Sequence, residues 1–251
     1  MPSITPFNTS AKTKLIALTV NIPEVKATSK SGNNYTIAGG TTVTGGQGTQ
    51  NLQPYLDYID AIEVAIGHAI DDWRHKARFK DVKVVSCSAI GASGCLTGPE
   101  LEPVIRSMGP QSPGWKQQCT NAIAKGLSKS WKLWADYVMI PGLPMYPAFT
   151  CWPGPVAPPL ANIPFPLISC PSAKSAALSA PSLTSEFCAQ LLNAAQIQKN
   201  VLASIASALS LAITIWMPSQ QVMLVMGQGK NPSFPMPGPV QGTASGYGLR
   251  A

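Results

Sequence analysis

Apolar residues recur at three- and four-residue steps in three long stretches, and each stripe predicts a helix. The first covers Gln53–Arg78. Tyr55, Leu56, Ile59, Ile62, Ile66, Ile70 and Trp73 share one face, while Asp57, Asp60, His68, Asp71, Asp72 and His75 fall opposite. The second covers Ser112–Ile140 and opens on Ser112-Pro113, an N-cap serine followed by a first-turn proline. Its stripe is Trp115, Cys119, Ile123, Leu127, Trp131, Trp134 and Val138, with Lys116, Lys125, Lys129 and Lys132 off it. The third begins near Ser182 or Thr184 and meets no breaker before Pro218. Its second half, Val201–Met217, is nearly unbroken apolar sequence, with Ser204, Ser207, Ser210 and Thr214 at helical spacing. A shorter helix is expected over Glu100–Met108. Period-two alternation predicts a strand over Asp81–Ile90.

Between the second and third stripes lies Tyr137–Ala173, dense in proline and without a charged side chain. Proline fixes φ and lacks an N–H, so this segment predicts neither a helix nor a central strand. Its aromatic and aliphatic content is too high for a solvated linker. The expectation is a stiff apolar strap laid along helices.

Residues 1–50 read as an extended β-rich arm, with strands at Lys14–Asn21, Tyr35–Ile37 and Thr41–Thr44. Such an arm either completes a sheet on a neighbour or folds as a hairpin on its own domain. The sequence divides further into a helical domain with one short strand (51–140), the strap (141–182), a long apolar helix (183–217) and an extended C-terminal tail (218–251). The fold class expected is mainly α with extended β arms (α+β), its long helices joined by the apolar proline-rich strap.

Composition sharpens this picture. Only 12% of residues are charged, about half the usual share. From Tyr137 onward the only charged residues are Lys174, Glu186, Lys199, Lys230 and Arg250. An uncharged exterior associates, so the second half is expected to be covered by neighbouring subunits or by lipid, the other reading being a neutral Ser/Asn/Gln/Gly-rich surface. The net charge of +7 is spread along the chain. Its one dense run, Arg74, Lys76, Arg78, Lys80 and Lys83, starts at the end of a helix, where cations suit the macrodipole. No specific nucleic-acid partner is expected.

Candidate chemistry adds little. The six cysteines form no CxxC pair. Cys151 and Cys170 would staple the strap if oxidised, and Cys87 and Cys95 would close a short loop, but buried free thiols are the expectation. His68, Asp72 and His75 share a helical face, yet a solvated face predicts no metal. With only two histidines there is no convincing nucleophile–base pair. Gly227-Gln228-Gly229-Lys230 is not a P-loop. No enzyme activity, cofactor or metal is expected, and the N-terminus carries no secretory signal pattern.

The run WKLWADYVMIPGLPMYPAFTCWPGPVAPPLANIPFPL, together with the Gly/Thr-rich arm, resembles minor virion structural proteins of tailed bacteriophages and subunits of related contractile tail and baseplate machines. The resemblance implies a multi-copy structural role in a virion, in the tail or baseplate ahead of the head or neck. The implied partners are other particle proteins and copies of the chain itself. The expected subunit contacts are Trp131, Trp134, Tyr146, Phe149, Trp152, Ile205, Leu209, Ile213 and Trp216. Deleting residues 1–40 or residues 228–251 is expected to block assembly. The alternative from another class is a membrane-inserting or pore-forming protein that uses the 201–217 helix, which sits at the lower length limit for a span.

Overall fold

The computed structural model describes residue 11 and residues 27–31, 34–37, 42–44, 47–191 and 195–250. The strand expected at Lys14–Asn21 lies outside the described residues. Three short strands, β1 (Ala27–Ser31), β2 (Asn34–Ile37) and β3 (Thr42–Thr44), pair with one another as an antiparallel meander. Helix α1 (Gln47–Lys76) follows and starts ahead of Pro54, where the sequence pattern had placed the helix start at Gln53. Its predicted stripe is the buried face: Ile59, Ile62, Ile66, Ile70 and Trp73 all lie in the core.

The expected strand over Asp81–Ile90 is a hairpin. Strand β4 (Arg78–Val85) turns at Ser86-Cys87 into β5 (Ser88–Gly91), with Val85 opposite Ser88. Ser86 takes a positive φ of 58° to make the turn. Short strand β6 (Leu96–Thr97) pairs with the start of β4. Helices α2 (Glu102–Met108) and α3 (Trp115–Asp136) then match the predicted second and short helices to within a turn.

The proline-rich segment is where expectation and structure part. It is not a strap joining long helices. It supplies β7 (Ile140–Pro144), β8 (Val156–Ala161) and β9 (Phe165–Pro166). Strands β7 and β8 are the two edges of a seven-stranded antiparallel sheet. An edge strand tolerates Pro141, Pro144, Pro158 and Pro159, because one side of its backbone needs no ladder donor. The same missing donors leave both edges poor templates for an added strand.

The third predicted helix is also divided. It forms α4 (Ala180–Ala189) and α5 (Gln196–Trp216), which pack against each other. At the end of α4 the chain tightens, with Gln190 N–H donating to Phe187 O and Leu191 N–H to Cys188 O. No glycine or proline marks this break. Gln198 Oε1 accepts from Ala195 N–H at 3.0 Å and so satisfies a donor at the new start.

The C-terminal segment is not an extended tail. It forms β10 (Gln221–Val222), β11 (Met226–Lys230), β12 (Gln241–Tyr247) and β13 (Leu249–Arg250). The large sheet runs β7-β5-β4-β12-β11-β8, with β6 beside β4, so β12 lies near its centre. A small sheet runs β13-β10-β9. Among the described residues, five α-helices, a seven-stranded antiparallel sheet and two three-stranded ones make this a mixed α+β fold, and the expectation of a mainly α chain with strap-joined long helices is corrected. The large sheet turns Phe79, Val82, Val84, Ala89, Ala157 and Ala244 toward the core. Asn162, just past β8, ties the end of that strand to the connection between β10 and β11: its Nδ2 donates to Val222 O and its Oδ1 accepts from Val225 N–H, both at 2.9 Å.

All six cysteines are free thiols, and Cys151 does not staple Cys170. Cys87 and Cys151 are exposed, while Cys95, Cys119 and Cys170 are buried. Burial pushes Cys95 up to about 11 and Cys119 and Cys170 up to about 12, from an ordinary 9.0. The unfolded chain gives up these protons from about 9.0, whereas the folded chain holds them to about 11–12. Stability from this source is therefore complete below 9.0 and is lost as pH rises through that window. Urea midpoints on either side of that value are expected to fall toward high pH. In the native state an aromatic disulfide reagent should modify Cys87 and Cys151 rapidly and the three buried thiols only on unfolding.

Candidate interaction surface

The end of the large sheet near Lys230 is built from three connected segments: the β4–β5 turn, residues 145–155 between β7 and β8, and residues 231–240 between β11 and β12. Backbone hydrogen bonds join them directly. Ser86 N–H donates to Val240 O at 2.8 Å, Met145 N–H to Cys87 O at 2.8 Å, and Val240 N–H to Phe149 O at 2.8 Å. Trp152 and Gly238 exchange a pair of bonds, and Asn231 N–H donates to Pro155 O at 2.9 Å.

The 231–240 loop is organised around the Asn231 side chain, which is buried (4% exposed). Its Nδ2 donates to Trp152 O at 2.8 Å and Met236 O at 2.9 Å, and its Oδ1 accepts from Ser233 N–H at 2.9 Å. Prolines 232, 235, 237 and 239 preset φ through the same loop. Gly238 is required by space: a Cβ there would lie 2.6 Å from Ser233 Cβ and 2.7 Å from Asn231 Oδ1.

This rigid frame presents large apolar side chains to solvent. Val85, Tyr146, Val156, Phe234 and Met236 are between 45% and 69% exposed. Phe149 is fully buried beneath them, between Tyr146 at 6.3 Å and Trp152 at 6.1 Å, both near-perpendicular. Lys230 is the one charged residue on the segments 84–89, 144–157 and 230–242. A pre-ordered apolar patch of this kind loses little entropy when it is covered by a partner.

The expected subunit contacts separate into two groups. Tyr146 is exposed on this patch, Trp152 is half-buried within it and Phe149 supports it. Trp131, Trp134, Ile205, Leu209 and Ile213 are buried inside the chain's own core, so they are corrected to internal packing residues. Trp131 meets Trp73 at 5.2 Å, Trp134 at 5.2 Å and the half-buried Trp216 at 5.8 Å. Stripes on α3 and α5 needed an apolar partner, and α1 and α4 of the same chain provide it. Val85, Val156, Phe234 and Met236 were missed: Phe234 and Met236 stand alone among Ser233 and prolines, while Val85 and Val156 sit beside Val84 and Ala157, and nothing in the sequence marks which of each pair faces solvent.

Other chemistry is sparse. Among the described residues, no group of three or more His, Cys, Asp or Glu side chains is placed to hold a metal ion. His75 is engaged by the carbonyl of Asp71 at 2.8 Å. A small cleft beside Trp73 and Trp131 is lined by Ser128, Glu100, Lys132 and Asp136. No known protein family, curated protein or solved structure matches this chain.

Proposed function

We propose that this chain is a structural subunit of a multiprotein particle, held by the apolar patch that Val85, Tyr146, Val156, Phe234 and Met236 form at the end of the large sheet. The observation that carries the reading is the patch itself: five large apolar side chains on a hydrogen-bonded frame, with Lys230 as its one charge. The particle class is the one the sequence resembles, a phage-like tail or baseplate, with head or neck as the other setting. Attachment by strand addition to the large sheet is disfavoured, since prolines occupy both of its edges. A face-to-face contact through the patch takes its place.

The double variant Phe234→Ser/Met236→Ser tests this. Apolar anchors at the centre of a contact are worth about 2 kcal/mol or more each. The wild-type chain in its native lysate is expected to sediment in a large complex, and the variant to be at least about tenfold depleted from it. Both side chains are solvent-exposed, so the thermal midpoint should not move. A wild-type chain that sediments alone at its own 26.4 kDa, or a variant that incorporates fully, sinks the proposal.

The membrane reading rests on Gln196–Ser219, which is long and apolar enough to span a bilayer. Half of its most apolar 18-residue window is buried within the chain's own fold. Insertion would have to strip Val201, Ile205 and Leu209 from their packing against the rest of the core. Flotation with liposomes that survives high salt would favour it over the particle.

A further inference from the structure

The dense cationic run of the sequence splits in the fold. Arg74 and Lys76 close α1 and are neutralised by Asp71 at 2.6 Å and Asp72 at 2.7 Å. Arg78, Lys80 and Lys83 pass onto β4 and are exposed. Three positions apart in a regular strand, Lys80 and Lys83 would point to opposite faces. A bulge prevents this. Val82 lies opposite Ala244 and Phe79 opposite Gly246, so Lys80 and Asp81 together face the single residue Ser245, and Asp81 takes a positive φ of 55°. Phe79, Val82 and Val84 stay in the core, and all three cations point away from it.

The pairing fixes what surrounds them. Lys83 lies between Ile90 and Thr243, with Gln228 beyond Thr243, and Lys230 pairs with Gln241. Strand β12 exposes Gln241, Thr243, Ser245 and Tyr247 in alternation with Gly242, Ala244 and Gly246. Arg78 lies over the Tyr247 ring at 4.0 Å, and Tyr247 is still 49% exposed. Among the described residues, none of Arg78, Lys80, Lys83 and Lys230 forms an ion pair, and Asp81 is the one acid on the strands of the large sheet. Unpaired cations gathered on one face repel one another, and an anion that spans several of them relieves this.

The layout narrows the anion. From Arg78 to Lys83 the charges spread over about 15 Å of β4, and Lys230 stands two strand spacings away, about 10 Å. A lone phosphate or carboxylate cannot reach them together, so the ligand carries repeated charge. A lipid surface is met by large apolar side chains set among the cations. Here the strand between Lys83 and Lys230 presents Gln241, Thr243 and Ser245 instead. A half-exposed aromatic ring beside a guanidinium, among amides and hydroxyls, suits the flat faces of bases.

We propose that the outer face of the large sheet binds single-stranded nucleic acid, with Arg78, Lys80, Lys83 and Lys230 on its phosphates and Tyr247 stacked on a base. Stacking needs unpaired bases, so a duplex binds more weakly. Phosphates and base planes carry no sequence information, so the binding is not sequence-specific. The contact uses neither Phe234 nor Met236 and does not rest on the particle reading.

The test is fluorescence anisotropy of a labelled thymidine oligonucleotide of about 20 nucleotides, longer than the ~4–16 that one small domain covers, titrated with the purified full-length chain. At about 50 mM salt the wild type is expected to bind, and log affinity should fall against log salt with a slope of about −3, from about 0.7 per phosphate contact. Lys80→Thr/Lys83→Thr should roughly halve that slope and weaken binding at least about tenfold. Tyr247→Val should weaken binding about fivefold or more and leave the slope unchanged. These side chains are exposed, so thermal midpoints should stay close to wild type. Should a variant fail to fold, the wild-type slope decides, and one shallower than about −1 overturns the proposal. Absence of binding at low salt overturns it, as does a lysine variant that binds like wild type or tighter binding to a duplex of the same length. Flotation with phosphatidylserine vesicles that needs Lys80 and Lys83, without oligonucleotide binding, assigns the face to lipid and also overturns it. Phe234→Ser/Met236→Ser should bind the oligonucleotide as wild type does, so loss of the particle reading and loss of this one are told apart.

Discussion

Trp131→Ala is expected to cost the fold about 3–5 kcal/mol, the usual price of removing a large aromatic from a packed core. Trp131 is 1% exposed and touches Trp73, Trp134 and Trp216, which come from α1, α3 and the end of α5. No neighbouring element is free to collapse into the space. Trp131→Phe should cost less than half as much. The indole Nε1 is buried without a hydrogen-bond partner, so phenylalanine loses ring volume but breaks no hydrogen bond. It also removes an unsatisfied donor, which is unfavourable to bury. Urea unfolding of the purified variants measures both. If Trp131 were a subunit contact instead, Trp131→Ala would leave the isolated chain's midpoint unchanged and abolish assembly. A loss of stability under about 1 kcal/mol would rule out the core role.

The helices were legible because their signal is local and redundant. Isoleucines at 59, 62, 66 and 70 followed by Trp73 specify one buried face of α1 whatever lies against it, and the structure buries that face. The stripe of α3 was equally plain. What a stripe does not specify is its partner, and this misassigned Trp131, Trp134, Ile205, Leu209 and Ile213 to subunit contacts. The break between α4 and α5 was invisible for a related reason. Residues 190–195 contain no breaker, and two apolar stretches that pack on each other read as one continuous pattern.

The strands were hidden by the residues that make them. In β7 and β8 proline suppressed the β signal, although an edge position accepts it. In β11 and β12, Met-Gly-Gln-Gly-Lys and Gln-Gly-Thr-Ala-Ser-Gly-Tyr carry almost no apolar alternation. Glycine replaces it because other groups need the space. A Cβ on Gly227 would stand 2.2 Å from Met145 Cε and 3.2 Å from Val84 Cγ2. The core side of these strands is filled by side chains from elsewhere, so period-two patterning had nothing to register. The apolar patch was partly legible through Tyr146 and Trp152, whose aromatic character stood out in an uncharged segment. Phe234 and Met236 became a surface only when Asn231 folded the loop around them.

The placement of β12 changes what loss of the C-terminus means. A chain ending at Val240 lacks β12 and β13 and is expected to show no cooperative unfolding transition. β12 pairs with β4 from Gln241↔Val85 to Tyr247↔Arg78 and with β11 from Gln241↔Lys230 to Ser245↔Met226. Without it the sheet separates into a β4 half and a β11–β8 half, each with an open edge and unpaired backbone groups beside the core. Leu249, 3% exposed, is lost from the core as well, and the small sheet loses the strand that pairs with β10. They fall on a domain whose whole net stability is typically only about 5–15 kcal/mol. Such a truncation would fail in any assembly assay, but through unfolding and not through loss of a docking arm. Circular dichroism through a thermal ramp separates the two. A truncated chain that melts cooperatively near the wild-type midpoint would show β12 to be dispensable and return the C-terminal segment to the role of an arm.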